Sequence, residues 1–153
     1  MPTLASQLLG TWRLVSREDR TPSGERRIDP GLGADPLAIL VYDATGHFAA
    51  QFMKRDRSGV AAAAPVSAGA NNSAAVNGYD AYFGTYTVDE ASASVTQRLD
   101  GALSPGDVGK VVTRQMRVEG DRLIIQLATT SADGDPVTRT LIWLRGASTA
   151  VRM

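Results

Sequence analysis

The chain has 153 residues, which suits one folded domain, and 43% of them are hydrophobic, enough to form a core. Its 16 basic and 16 acidic residues balance, which argues against a nucleic-acid-binding protein, because such proteins need a basic surface to neutralise phosphates. The chain has no cysteine, so disulfides and thiolate metal sites are excluded, and a reducing compartment such as the cytoplasm is compatible with the composition.

The first segment predicts a short helix. Thr3 can cap a helix that runs through Leu9, and Gly10 can end it. Residues 1–10 contain neither a basic segment nor a long apolar run, so we expect no signal peptide and no membrane span. We expect a single domain over residues 1–153 in the cytoplasm.

After Gly10 the pattern changes to short β-rich runs separated by turn residues, which is typical of antiparallel hairpins. The turn sequences include DATG, EGD and SADGDP, each a short link between neighbouring runs. Eight such strands favour an all-β, closed up-and-down barrel, because closure leaves no unpaired strand edge. The predicted strands are residues 11–17, 37–43, 47–54, 82–89, 94–103, 111–119, 122–129 and 137–145.

Two connections are longer than hairpin turns. Residues 18–36 form a polar loop rich in proline and glycine. Residues 55–81 form a long loop between the third and fourth strands, and a loop of that length suggests a lid over a binding site. Its later part, residues 72–80, is compatible with a short helix capped by Asn72 or Ser73.

Side-chain alternation along the sixth strand places Arg114 on an apolar face with Val112, Met116 and Val118. A buried guanidinium needs a partner, because an unpaired buried charge is very unfavourable. The partner is either an anionic or carbonyl group of a ligand, or an internal carboxylate, tyrosine or glutamine. Both alternatives stay open.

Other inward positions add polar groups to this apolar interior. Gln97 shares a face with Val95 and Leu99, and we expect the face carrying Tyr82 and Tyr86 to point inward, because tyrosine combines apolar bulk with a polar tip. The small residues Ala49 and Gly84 favour an open interior over a filled one. An apolar cavity with a few polar anchors is typical of small-molecule sites. Along the third strand, Ala49, Gln51 and Met53 alternate with Phe48, Ala50 and Phe52, and either face can point inward. The candidate ligand-binding residues are Arg114, Gln51, Tyr82, Tyr86, Gln97, Met53 and Met116.

Familiar catalytic and metal-binding motifs are missing. His47 is the one histidine and directly follows a turn, so we expect it at the rim in solvent, and a zinc site needs more ligands. The sequence GDVGK at residues 106–110 lacks the glycine spacing and the following Ser or Thr of a phosphate loop. Neither G-x-S-x-G nor a nucleophile–base pair occurs. We therefore expect no metal and no cofactor.

The sequence GTW at residues 10–12 resembles the G-x-W motif of lipocalins, and residues 32–53, 82–90 and 114–125 resemble the bacterial and fungal lipocalin-like domain family. The resemblance implies a lipocalin-like barrel in which Trp12 closes one end. It also implies that Arg145, near the end of the last strand, stacks across that indole. Many family members carry histidine where this chain has Gln97, which weakens an acid–base role at that position.

Three functions remain open. The first is binding of a small apolar or amphipathic molecule inside the barrel, by a monomer or homodimer. The second is an enzyme of secondary metabolism, of the cyclase or isomerase type, in which Arg114, Tyr82 or Tyr86 stabilises a developing oxyanion without metal or nucleophile. The third is a structural or interaction domain with a filled core. The lack of a titrating group in the expected pocket favours binding, or a reaction without a proton relay.

Overall fold

The computed structural model of the chain describes residues 2–57 and 75–147. None of the helices in this part is long and apolar enough to cross a membrane. The elements in chain order are α1 (Leu4–Leu8), β1 (Gly10–Arg20), β2 (Arg26–Arg27), β3 (Leu37–Tyr42), β4 (His47–Met53), β5 (Tyr79–Asp89), β6 (Ser94–Ala102), a 3-10 turn (Pro105–Asp107), β7 (Val111–Glu119), β8 (Arg122–Thr130) and β9 (Pro136–Arg145).

The strands form one antiparallel sheet that closes on itself. Each strand from β3 to β9 pairs with the next one along the chain, and β1 pairs with both β3 and β9. Eight strands, β1 and β3 to β9, therefore make a closed barrel, which confirms the predicted fold. The ends of the predicted strands differ from the observed ones by at most three residues.

Two local expectations fail. The short strand β2, inside the predicted polar loop, pairs with Asp19 and Arg20. The helix proposed for residues 72–80 is wrong over its described part, because Asn77 and Gly78 adopt positive φ angles of 53° and 75° and form a turn that leads into β5. An Asn-Gly pair favours such turns. The rest of the predicted long loop, residues 58–74, lies outside the described residues.

The seam between β1 and β9 closes the barrel. An irregularity between Leu14 and Ser16 shifts the register of β1, so Trp12 is buried before it and Arg17 and Asp19 are buried after it. A β-bulge has this effect because it inserts one extra residue into the alternation. The bulge therefore turns two charged side chains of β1 into the barrel.

Aromatic side chains fill much of the interior. Phe52 lies 5.7 Å from Trp143 and 6.2 Å from Tyr82, measured between ring centroids. Leu8 of α1 is fully buried, and so is Leu32 of the connection between β2 and β3. The core is thus packed by the strands and also by α1 and a loop.

The two small residues that favoured an open interior do not open it. Ala49 lies on the face of β4 opposite the buried Phe48 and Phe52. Gly84 lies at a β-bulge between β5 and β6, where a Cβ atom would collide with the backbone carbonyl oxygen of Arg98. The missing side chain of Gly84 is therefore used for close approach of two strands, and the expectation of extra space is wrong.

Candidate functional site

The barrel interior contains a cavity of about 30 Å³. A volume of this size admits water but no larger molecule without rearrangement. Its polar lining consists of Arg114, Gln97 and Tyr82, and its apolar lining includes Met116 and Phe52. Five of the seven predicted ligand-binding residues point into the barrel, and four of them line this cavity.

Arg114 is the unusual member of this set. Its Nε atom is buried and has no hydrogen-bond partner, and its Nη1 atom donates to the carbonyl oxygen of Thr113 at 3.3 Å. Burial lowers the pKa of the Arg114 guanidinium, and Arg139 lowers it further, whereas Tyr82 raises it. An arginine nevertheless stays protonated in proteins. Within the described residues no carboxylate forms an ion pair with Arg114, so one of the open alternatives, an internal carboxylate partner, is not seen there.

Gln97 faces inward, as predicted, and is held by a hydrogen bond. Its Nε2 atom donates to the hydroxyl of Tyr42 at 2.6 Å, and that hydroxyl donates to the sulfur of Met116 at 3.7 Å. Burial raises the pKa of Tyr42 well above its ordinary value, so the phenol stays neutral. Sequence reasoning missed Tyr42, because β3 is apolar on both faces and its alternation gives no contrast.

The two candidate tyrosines have different environments. Tyr82 is buried, lines the cavity and packs 6.0 Å from the ring of Phe48. Tyr86 faces the same side of β5 but lies nearer the end covered by α1, where its hydroxyl donates to the carbonyl oxygen of Asp43 at 2.8 Å. Tyr86 does not line the cavity.

Gln51 and Met53 lie outside the barrel, so of the two orientations that the sequence left open, the one that would bring them to a ligand in the interior is not the one observed. The opposite face of β4, with Phe48 and Phe52, is buried instead. Aromatic rings remove more apolar area from water than glutamine does, and this decides the orientation of β4. Gln51 accepts a hydrogen bond from the hydroxyl of Tyr79 on the outer face.

Trp12 and Arg145 meet at the end of the barrel that α1 covers. Trp12 is fully buried, and its indole nitrogen donates to the carbonyl oxygen of Leu8 at 2.9 Å. The guanidinium carbon of Arg145 lies 4.2 Å from the centre of the Trp12 ring. The same guanidinium donates to the carbonyl oxygens of Leu9 at 2.8 Å and Gln7 at 2.7 Å. Arg145 therefore stacks on the indole and also satisfies carbonyls at the end of α1.

A second set of buried charges lies at the opposite end. Arg139 of β9 makes two hydrogen bonds to Asp19, at 2.8 Å and 3.0 Å, and Arg17 pairs with Asp29 at 3.0 Å. Burial lowers the pKa of Arg17, the nearby Arg139 lowers it further, and Asp29 raises it. These pairs are not predictable from the alternation along β1, because the bulge changes which residues face inward.

His47 is exposed, as expected. Its Nδ1 atom lies 2.8 Å from the hydroxyl of Thr45 in the turn between β3 and β4. In the turn, hydrogen bonds from the backbone of His47 and from the side chain of Thr45 lower the pKa of Asp43. Over residues 2–57 and 75–147 no group of three or more His, Cys, Asp or Glu side chains is arranged to hold a metal ion.

Comparison with known proteins adds one finding to this geometry. Residues 9–146 match the family model described as a lipocalin-like domain. The matched range includes all eight strands of the barrel, from Gly10 to Arg145. A search of the curated proteins finds no match.

Proposed function

The chain belongs to the lipocalin-like domain family, and we propose that it binds a small apolar or amphipathic molecule inside its barrel, with an anionic or carbonyl group of that molecule at Arg114. Membership of the family suggests small-molecule binding. The position of the polar group is our own inference from the interior, and we propose that one domain does this in the cytoplasm, as a monomer or homodimer. The lack of cysteine is compatible with that compartment.

The unpaired Nε atom of Arg114 carries the proposal. A protonated guanidinium in an apolar interior is unfavourable unless its N–H groups are hydrogen-bonded. A carboxylate or polarised carbonyl supplies the missing acceptor, and charge-assisted hydrogen bonds of this kind are the strong ones. Gln97 lines the same cavity but already donates to Tyr42. The indole nitrogen of Trp143, another lining residue, is also buried without a partner, but of the two unpaired donors only Arg114 carries a charge.

The size of the cavity sets a condition on binding. Small-molecule sites usually have volumes of about 300–1,000 Å³, whereas the interior cavity has about 30 Å³. A ligand that enters this cavity therefore has to displace side chains of its lining, such as Phe52 and Tyr82. The same observation supports a second candidate, a structural or interaction domain whose filled core takes no ligand.

An enzymatic role would use the same groups. Arg114 and Tyr82 line one cavity, and in this alternative both would donate to an oxyanion that develops during a cyclisation or isomerisation. Tyr86 lies away from the cavity, with its hydroxyl hydrogen-bonded to the carbonyl oxygen of Asp43, so we no longer propose it as an oxyanion donor. Turnover of a bound compound to a rearranged product separates this role from binding.

Native mass spectrometry of the protein purified from its own host tests the proposal, followed by solvent extraction of whatever is bound. We expect a stoichiometric small molecule that is mostly apolar and has a carboxylate or carbonyl group. An empty protein that also ignores a panel of apolar carboxylates and polyketide-like carbonyl compounds would favour the filled-core domain.

The variant Arg114→Met replaces the arginine by an unbranched apolar side chain, which resembles the arginine stem and lacks the charge. We expect ligand affinity to fall about tenfold or more, since a hydrogen bond to a charged group contributes about 1.5–3 kcal/mol. We expect the melting temperature to stay close to that of the parent protein, because the variant also removes a desolvated charge. Calorimetric titration and thermal unfolding measure the two effects.

The matched control is Arg117→Met on the same strand. Arg117 lies on the exposed face of β7 and pairs with Glu119 at 2.8 Å. We expect this control to leave affinity unchanged. A large loss of stability in Arg114→Met, with binding retained, would instead make Arg114 a structural member of the core.

A further inference from the structure

A second cleft, on the wall of the barrel, is larger than the interior cavity. It has a volume of about 340 Å³, within the usual range of small-molecule sites. Its lining from the outer side of the wall consists of Arg13, Leu37, Ile39, Gln51, Met53 and Tyr79. Most of these contribute apolar surface.

The cleft lies where β1 and β3 separate. The two strands pair from Gly10 and Tyr42 as far as Arg13 and Ile39, and the pairing stops there. The next residue of β1, Leu14, precedes the bulge and continues in register with β9. Among the described residues, the edge of β1 is unpaired from here as far as Asp19, where β2 begins to pair with it, and the facing edge of β3 is unpaired as well. These edges leave a gap in the wall.

Residues from both faces of the wall line this one cleft. Leu14, Ala38 and Phe52 pack against the barrel core, yet they belong to its lining together with the outward-facing Arg13 and Gln51. Such a mixture is what a gap between two strands produces. Phe52 also lines the interior cavity, so the cleft and the cavity share this side chain.

The charges around the cleft indicate which kind of molecule it can bind. Arg13 is exposed, and no carboxylate among the described residues pairs with it. The polar groups of Gln51 and Tyr79 bond to each other. The cleft therefore presents an apolar surface, formed in part by Leu37 and Met53, beside the uncompensated charge of Arg13. A second guanidinium is close by, because that of Arg57 lies 5.7 Å from the centre of the Tyr79 ring.

We propose that the cleft between β1 and β3 is a binding site for a small apolar carboxylate. The apolar part of the molecule packs against Leu37, Met53 and Phe52, and its carboxylate pairs with Arg13. In this site the carboxylate does not contact Arg114, although the cleft shares the side chain of Phe52 with the interior cavity.

A matched pair of probes tests the site: 1-naphthaleneacetate and its uncharged analogue 2-(1-naphthyl)ethanol, each titrated into the isotope-labelled full chain by 1H–15N NMR. We expect the acid to shift the amide signals of Ala38, Gln51 and Met53 in the parent protein and in Arg114→Met alike. We expect the alcohol to bind at the same place about fivefold more weakly, because an exposed ion pair contributes up to about that factor.

The variant Arg13→Gln should lower the affinity for the acid to that for the alcohol and leave the affinity for the alcohol unchanged. The control is Arg122→Gln, since Arg122 is an exposed arginine on β8. Met53→Glu should weaken binding of the acid more than binding of the alcohol, because it adds a negative charge to the cleft.

Two results would overturn the site. In the first, the acid shifts the amides of Gln97 and Arg114 rather than those of the cleft, and loses binding in Arg114→Met; this would place the probe in the interior and support the proposed function instead. In the second, the cleft itself fails the test. Either neither probe shifts an amide signal of the cleft, or Arg13→Gln binds the acid as tightly as the parent protein does. The failure of the cleft and the failure of the interior site are therefore distinguishable.

Discussion

A single guanidinium joins three elements at one end of the barrel. Arg145 of β9 stacks on Trp12 of β1 and donates hydrogen bonds to two carbonyl oxygens near the end of α1. The indole nitrogen of Trp12 bonds to a further carbonyl of the same helix. Five residues of helix are too few to be stable alone, so these contacts hold α1 in place.

Replacing Trp12 tests how much this end contributes. We expect Trp12→Ala to destabilise the protein by about 3–5 kcal/mol, as large truncations in a core do. We expect Arg145→Met to destabilise it by about 1–2 kcal/mol, because the apolar stem remains and the hydrogen bonds are lost. Denaturant unfolding measures both values. A loss under about 1 kcal/mol for Trp12→Ala would contradict a role in closing the barrel.

Because of Tyr42, we expect the stability of the folded protein to fall at alkaline pH. Burial raises its pKa above the value of about 10 that it has in the unfolded chain, so ionisation stabilises the unfolded state alone. Its contribution to stability is therefore complete below about pH 10 and is lost as the pH rises above that value, by up to about 1.4 kcal/mol per pH unit.

The variant Tyr42→Phe should unfold with a smaller dependence on pH above about pH 10 than the parent shows. It should also be less stable at neutral pH by about 1–3 kcal/mol, because the amide of Gln97 loses its acceptor. Denaturant titrations at several pH values measure both effects. Equal slopes for the two proteins would show that Tyr42 ionises as easily in the folded state as in the unfolded one.

At the level of elements, bulges decide what the strands can present. The bulge between β5 and β6 brings Gly84 against the backbone of Arg98, and a Cβ there would also lie 2.9 Å from the backbone nitrogen of Asp100. Backbone atoms of a paired strand cannot move aside as a side chain can. Glycine is therefore required at this position by the approach of the two strands.

Gly84→Ala should consequently destabilise the protein by about 3 kcal/mol or more, at the upper end for overpacked sites. Gly101→Ala is the matched control on the facing strand. A Cβ at Gly101 would meet the ring of Phe83, which is 58% exposed and can turn away into solvent. We expect the control to change stability by less than about 1 kcal/mol. Similar losses for both variants would contradict the distinction between backbone and side-chain collisions.

The inward or outward orientation of a side chain is predictable only on a regular strand whose two faces differ in polarity. On β6, Gln97 lies with apolar neighbours opposite a face of Thr96 and Arg98, and this contrast predicts its inward position. On β4 both faces are largely apolar, so the alternation leaves the orientation of Gln51 open. The inward positions of Arg17 and Asp19 depend on a bulge in β1. No glycine or proline lies at this bulge, so the sequence does not predict it.

For the whole molecule, the turn sequences predict the number and order of the strands. They do not predict the volume of the cavity inside the barrel. Regular hairpin spacing predicts eight antiparallel strands, and closure follows from the need to pair both edges. The volume of the interior depends on rotamers and ring packing among residues far apart in sequence, such as Phe52 and Trp143. The β1–β3 cleft was equally hidden, since strand pairing that stops early leaves no pattern in either strand.

The seam between the first and last barrel strands has a consequence for how the chain folds. Asp19 and Arg139, which pair across it, are 120 residues apart in sequence. During synthesis β1 emerges long before β9, with only its first residues able to pair with β3. Contacts between such distant segments form slowly, so we expect this seam to be completed last. Until then one edge of β1 remains open to strands of other nascent chains, which makes synthesis the period of greatest risk of aggregation.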